Sequence, residues 1–487
     1  MTDAIFINPF PGGHGLNEAT IIMPVGLAYL AAVLEENDFR CAIIDANVLR
    51  LTHDKILEKI PPEAKLIGIY LNSFSYDSVQ ELSSRIRKKF PEATIVLGGP
   101  LPSAAPEIVL AEIECDGLIK GEGEYSVLRL MRNISRGSPA FDREVPGAYF
   151  RDRSTNEIVE NPLERIEKLD ELPFPAYHLL PSFECYKSRS RKRPTAPLVT
   201  SRGCSYDCIF CSKDVFKRRV SFRSAPNVLK EIDGLVKEHG IRQIDILDDN
   251  FAFNRTRMKE ILDGLISRSY GLAVNLQLGI RTECLDEEIL DKMKKAGVYK
   301  LAFGIESTDE DVLRICHKKI DLQHAGDMVL LARRKGIIVY GFFIIGLPGE
   351  TDAGFERTLD YASKLDFDVA NFCMAIPFVG TELYRMISRE GRFLIDTSRN
   401  ISSGFYDGKV FYEYGPNTEE VVLRRYKKAY KKFYSLRKKI NVLLSIRSFS
   451  EFRWHWDIVL MIMKSMLNAQ FHSLRRAERE QEEFQSD

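Results

Sequence analysis

Apolar positions along this chain alternate between two rhythms. Short runs rich in Ile, Val and Leu read as buried strands: Ile5-Phe-Ile7, Cys41-Ala-Ile-Ile-Asp45, Leu66-Ile-Gly-Ile-Tyr70, Thr94-Ile-Val-Leu97 and Gly117-Leu-Ile-Lys120. Between them, from Val25 to Asn37, Lys55 to Ile60 and Ser78 to Phe90, apolar residues recur at helical spacing. Strands separated by helical spacers predict an α/β domain over residues 1–142, a Rossmann-like, doubly wound parallel sheet. Small residues follow the strand ends: Gly12-Gly13, Asn72-Ser73, Gly98-Gly99-Pro100 and Gly121-Glu122-Gly123-Glu124. Such sheets bind ligands outside the carboxyl ends of their strands, where glycine lets the backbone come close.

Residues 143–190 read as a linker of polar turns, with the proline-bearing Glu171-Leu-Pro-Phe-Pro-Ala-Tyr177. The basic run Lys187-Ser-Arg-Ser-Arg-Lys-Arg193 reads as a solvated loop. The βα rhythm then resumes over residues 191–415. Its strand-like runs are 196–200, 243–247, 273–277, 300–303, 339–345 and 369–373. Six βα units cannot close an eight-fold barrel but can form a partial (β/α)6 barrel, with catalytic groups at the carboxyl ends of its strands. Residues 416–487 predict a helical C-terminal region, basic in its first half. Its apolar run Ile458-Val-Leu-Met-Ile-Met463 is too short to span a bilayer and reads as a helix packed on the barrel.

At 487 residues the chain exceeds a single core. Its 69 basic and 69 acidic residues cancel, which argues against a large nucleic-acid-binding field. No run of eighteen apolar residues exists, and the N-terminus lacks the basic flank of a signal peptide, so the expected address is the cytoplasm. Nine cysteines in such a chain point to metal binding rather than disulfides.

Three of them carry the chemistry. Cys204, Cys208 and Cys211 are spaced C-x3-C-x2-C in Ser201-Arg-Gly-Cys-Ser-Tyr-Asp-Cys-Ile-Phe-Cys211. A structural zinc site wants four ligands, and no second pair lies nearby. Three thiolates suit an iron–sulfur cubane with one iron left open. The loop also follows the first barrel strand, where a barrel site belongs.

This loop resembles the signature of the radical S-adenosylmethionine (SAM) enzymes. With the domain order and the glycine pattern, residues 1 to about 400 resemble the cobalamin (B12)-binding radical SAM family. The resemblance implies three cofactors: a [4Fe-4S] cluster on Cys204, Cys208 and Cys211, SAM, and cobalamin. For SAM it implies contacts from Phe210, from Asp248, Asp249 and Asn250, from Arg281, from Glu306 and Ser307, and from the turn at Gly346. For cobalamin it implies Asn72, Ser73, Gly98, Gly99, Gly121, Glu122 and Gly123. The Asp-x-His-x-x-Gly motif that ligates cobalt is absent, and Leu101 stands where relatives carry histidine, so a protein histidine on cobalt is not expected. His14, in a glycine loop, reads as solvated.

The implied activity is methylation of an unactivated carbon, or phosphorus, through a 5′-deoxyadenosyl radical. A cyclisation or rearrangement with the same cofactors is the alternative. A methylthiotransferase ranks lower, because only Cys41 and Cys115 occur in the first 140 residues. Expected partners are a small-molecule substrate, possibly a lipid or secondary-metabolite precursor, and an external electron donor such as flavodoxin or ferredoxin. No nucleic acid is expected.

Overall fold

The computed structural model describes residues 2–10, 21–186 and 190–434 (except 366, 400, 402–404 and 406–407), together with Trp456. Gly12, Gly13, His14, the run 187–189 and nearly all of the tail beyond 434, including the 458–463 run, lie outside the described residues.

Five parallel strands open the chain: β1 (Ala4–Asn8), β2 (Cys41–Asp45), β3 (Leu66–Tyr70), β4 (Thr94–Gly98) and β5 (Gly117–Ile119). Their near-continuous burial is that of strands covered on both faces. Two more, β6 (Ala148–Arg151) and β7 (Ile158–Glu160), add antiparallel to the edge, giving the order β2-β1-β3-β4-β5-β6-β7. The first sheet therefore extends to residue 160, and only the stretch after it is connector. Alternation over so short a hairpin is too weak a signal to find in sequence. The connector is itself pinned: Tyr186 donates to Asp45 at 2.7 Å, and Tyr177 to Glu231 at 2.6 Å.

The second sheet holds six parallel strands in the order β15-β14-β13-β12-β11-β8. They are β8 (Thr195–Leu198), β11 (Gln243–Ile246), β12 (Ala273–Ile280), β13 (Val298–Glu306), β14 (Ile338–Ile345) and β15 (Val369–Met374). Two short strands, β9 (Ser201–Arg202) and β10 (Ser221–Phe222), pair beside the top of β8. Burial along β14 alternates: Val339, Gly341, Phe343 and Ile345 are buried, whereas Ile338, Tyr340, Phe342 and Ile344 are only half-buried. One side of the strand packs on helices, and the other lines a lumen.

Helix Glu419–Phe433 closes the open edge of this half-barrel. The Tyr434 hydroxyl accepts from Ala370 N–H at 3.2 Å and donates to its carbonyl at 2.9 Å, satisfying backbone groups that an edge strand leaves unpaired. Tyr430 reaches the Phe372 carbonyl at 3.3 Å. The basic residues of this helix face helix Asp352–Lys364, where Arg424 meets Asp352, Lys428 meets Glu356 and Lys432 meets Asp360. No helix among the described residues is long and apolar enough to cross a membrane.

Candidate active site between the two sheets

The cysteine loop leaves β9 through Gly203, whose φ of +89° and tight contact with the Arg219 carbonyl leave no room for a Cβ. Backbone bonds then fix its course. Gly203 N–H donates to Asp249 at 2.9 Å, Ile209 N–H to the Cys316 carbonyl at 3.2 Å, and Leu383 N–H to the Ile209 carbonyl at 3.0 Å. Cys208 is buried, Cys204 half-buried and Cys211 exposed. Surrounding protein atoms nonetheless push the Cys211 thiol up to about 12. Enclosure also raises the Cys204 thiol, and a thiolate at Cys208 raises both neighbours further. Among the described residues no three His, Cys, Asp or Glu side chains converge as a single ion requires. A cubane does not ask for that convergence, since each thiolate binds a different iron. Three thiols on one pinned loop, close enough to feel each other's charge, fit the cluster.

The sequence-predicted SAM residues divide into two groups. Asp249 is exposed beside Cys204, with one oxygen on Gly203. Asn250 is 2% exposed, and neither its amide oxygen nor its nitrogen has a partner, as for a side chain awaiting a polar ligand. Arg281 forks onto Glu283 at 2.7 and 3.2 Å and lies over the Tyr206 ring, 3.7 Å from its centre. It thus touches the cluster loop directly through a residue that sequence reading passed over. Glu306 ends β13 at φ +66°, beside a register shift, and meets Lys318 at 3.3 Å. A Cβ at Gly304 would fall 2.8 Å from its carboxylate. Phe210 packs partly buried against the small core that carries Ile209, Cys316 and Leu347.

Three of the expected contacts already have partners within the protein. Asp248 is 3% exposed, and both its oxygens are taken by Thr200 and Ser201, so it ties β11 to the start of the loop. The Ser307 hydroxyl is buried, accepting from Asp309 N–H at 3.1 Å. Gly346 is buried beneath Val422, with its N–H on Glu350 and its carbonyl on Tyr412.

On the facing sheet, Asn72 accepts from Phe74 N–H and Ser75 N–H at 2.9 and 3.1 Å, forming a tight Asx turn. The neighbouring Ser73 carbonyl accepts from Ile401 N–H at 3.0 Å. Around Gly98 nothing lies nearer than 4.0 Å to where a Cβ would stand, so a flat ligand can approach the backbone there. Gly99 takes φ +120°, and Ser103 links the Gly99 carbonyl to Gly121 N–H. Gly123 is packed against Leu30 instead.

Glu122 is likewise engaged within the protein. It accepts from Arg202 at 2.8 Å, from Ile166 N–H at 3.0 Å and from Arg165. Arg202 also holds Glu124 at 2.6 Å, and its guanidinium lies over Tyr29. Arg202 precedes Cys204 by two residues, and Glu122 lies between Gly121 and Gly123. A buried ion network therefore sets the cysteine loop against the glycine loops of the first sheet. Nothing in either local sequence signals this pairing across 80 residues.

With both faces placed, the comparisons fall on the same two units. Residues 198–362 match the Radical SAM superfamily, and residues 16–130 match the B12 binding domain. An uncharacterized methyltransferase of Pyrococcus horikoshii is 35% identical over 74% of this chain and 77% of its own length.

The chain belongs to the radical SAM superfamily, in its B12-binding branch.

The cytidylyl-2-hydroxyethylphosphonate methyltransferase of Streptomyces wedmorensis is 29% identical over 78% of this chain and 80% of its own. In fold the chain resembles the radical SAM methyltransferase TsrM of Kitasatospora setae, solved with cobalamin and a [4Fe-4S] cluster, at TM-score 0.69 and 18% identity. That likeness covers 96% of this chain and 99% of TsrM. The cofactors of this radical SAM enzyme are the [4Fe-4S] cluster, SAM and cobalamin.

Proposed function

We propose that this chain methylates an unactivated carbon, or a phosphorus, of a small molecule, drawing its electron from an external donor in the cytoplasm. The observation that supports this reading is the Arg202–Glu122–Glu124 network, which holds the cysteine loop against the glycine loops of the first sheet. When bound, the cofactors supply a radical-generating centre and a methyl carrier; the chain's own work is to place and enclose them. Cys204, Cys208 and Cys211 would hold the cluster. Asn250 supplies an open amide for SAM, and Asp249 and Glu306 supply carboxylates. Lys318 holds Glu306 in place, and Arg281 holds the cluster loop through Tyr206. The open backbone at Gly98 would receive the flat face of the corrin.

Mass balance on SAM tests the reading. Methyl transfer consumes SAM in two ways, so anaerobic turnover with substrate should release both 5′-deoxyadenosine and S-adenosylhomocysteine. Release of 5′-deoxyadenosine alone, with a product of unchanged carbon count, would establish cyclisation or rearrangement instead.

A further inference from the structure

The order β2-β1-β3 puts a switch point between β1 and β3, where the chain leaves neighbouring strands towards opposite faces and opens a crevice for a ligand. One hydrogen bond spans that crevice. Ser78, in the first turn of helix Tyr76–Lys89 after β3, donates to the carbonyl of Phe10, just past the end of β1, at 2.8 Å. Behind Ser78 stands His53, the first residue of helix His53–Lys59. Its Nε2 lies 3.1 Å from the Ser78 hydroxyl, and its Nδ1 lies 3.2 Å from a carboxylate oxygen of Glu81.

These contacts fix the protons. A serine hydroxyl has one hydrogen, and the Phe10 carbonyl can only accept it, so Nε2 donates to Ser78. Nδ1 faces a carboxylate, where a lone pair would be repelled, so it carries a proton too. The chain Glu81–His53–Ser78–Phe10 is therefore complete only with His53 as imidazolium. The other charged groups at hand are Arg85, on the same Glu81 oxygen at 3.4 Å, Asp54, which pairs with Arg85, and Asp77, which precedes Ser78. At 17% side-chain exposure the ring is held by protein yet open to proton exchange. When Nε2 loses its proton it becomes an acceptor for Ser78, and the hydroxyl hydrogen leaves Phe10.

We propose that His53 is a positioning residue for cobalamin. As imidazolium it holds Phe10 through Ser78 across the β1/β3 crevice, and cobalamin is bound most firmly in that state. The inference concerns the B12 face alone and stands whether the reaction is methylation or cyclisation. By linkage, a protein that binds cobalamin better when protonated takes up a proton as cobalamin binds.

The test follows methylcobalamin, whose axial methyl does not titrate, on the full chain carrying its reconstituted cluster. Calorimetry at constant ionic strength gives Kd over a pH series, and buffers of unequal ionisation enthalpy give the protons taken up. In the wild type Kd should rise about tenfold as pH increases, the scale of one charge-assisted hydrogen bond, in a single-proton step accompanied by proton uptake. His53→Gln, whose amide donates to Ser78 at every pH, should show neither the step nor the uptake. Ser78→Ala should bind at the weak, high-pH level of the wild type throughout. Iron–sulfur absorbance at the wild-type level reports that each variant is folded. A wild-type Kd without a pH step would overturn the proposal, as would a step of equal size in His53→Gln or in Ser78→Ala.

Discussion

Glu306 holds a left-handed backbone conformation that side-chain-bearing residues rarely adopt, in a notch kept open by Gly304 and facing Lys318. Strain of this kind persists where the surroundings demand a particular side-chain direction. Replacing Glu306 with Ala should weaken SAM binding about tenfold, the scale of a lost charge-assisted hydrogen bond, while iron content stays at the wild-type level. Calorimetry with SAM on the reconstituted protein checks both. Replacing Cys204, Cys208 and Cys211 together with Ala should abolish the cluster's absorbance and SAM cleavage, with cobalamin still bound. The cysteines stood out in the sequence because all three lie on one loop, where spacing alone singles them out. The engagement of Asp248, Ser307 and Glu122 could not be read there, because what decides a carboxylate's or hydroxyl's role is who else reaches it. Their partners Thr200, Asp309 and Arg202 are either distant in sequence or carry no motif.

At the scale of elements, strand and helix order could be read from hydrophobic rhythm, and the six-strand half-barrel followed from counting. The β6–β7 extension escaped because its strands are only four and three residues long. The edge seal escaped as well, since a tyrosine spaced four residues from another reads as ordinary helix surface. Replacing Tyr430 and Tyr434 with Phe removes the hydroxyls that serve β15. About 1 kcal/mol of stability should be lost for each, read as a lowered urea midpoint with an unchanged slope. The same helix shows why its many cations predict no nucleic-acid role. Arg424, Arg425, Lys428 and Lys432 are spent on Glu350, Asp352, Glu356 and Asp360.

Across the whole molecule, a second link joins the two domains on the other flank. Glu112, the last residue of helix Pro106–Glu112 in the first domain, takes Arg399 on both oxygens and also accepts from Tyr76, and these partners hold its carboxyl down at about 2. The folded protein then binds fewer protons here than the unfolded chain once pH drops below the usual glutamate value. The link contributes in full above about 4.5 and fades as pH falls towards 2. A Glu112→Gln variant should therefore lose stability at neutral pH and show a shallower fall between those limits, measured by urea midpoints across the range.

Truncating the Arg202 side chain would leave Glu122 and Glu124 buried without that partner, a loss of about 3–5 kcal/mol. The cysteine loop and the glycine loops of the first sheet are thus held against each other by one side chain, so that the change of a single residue would loosen both at once.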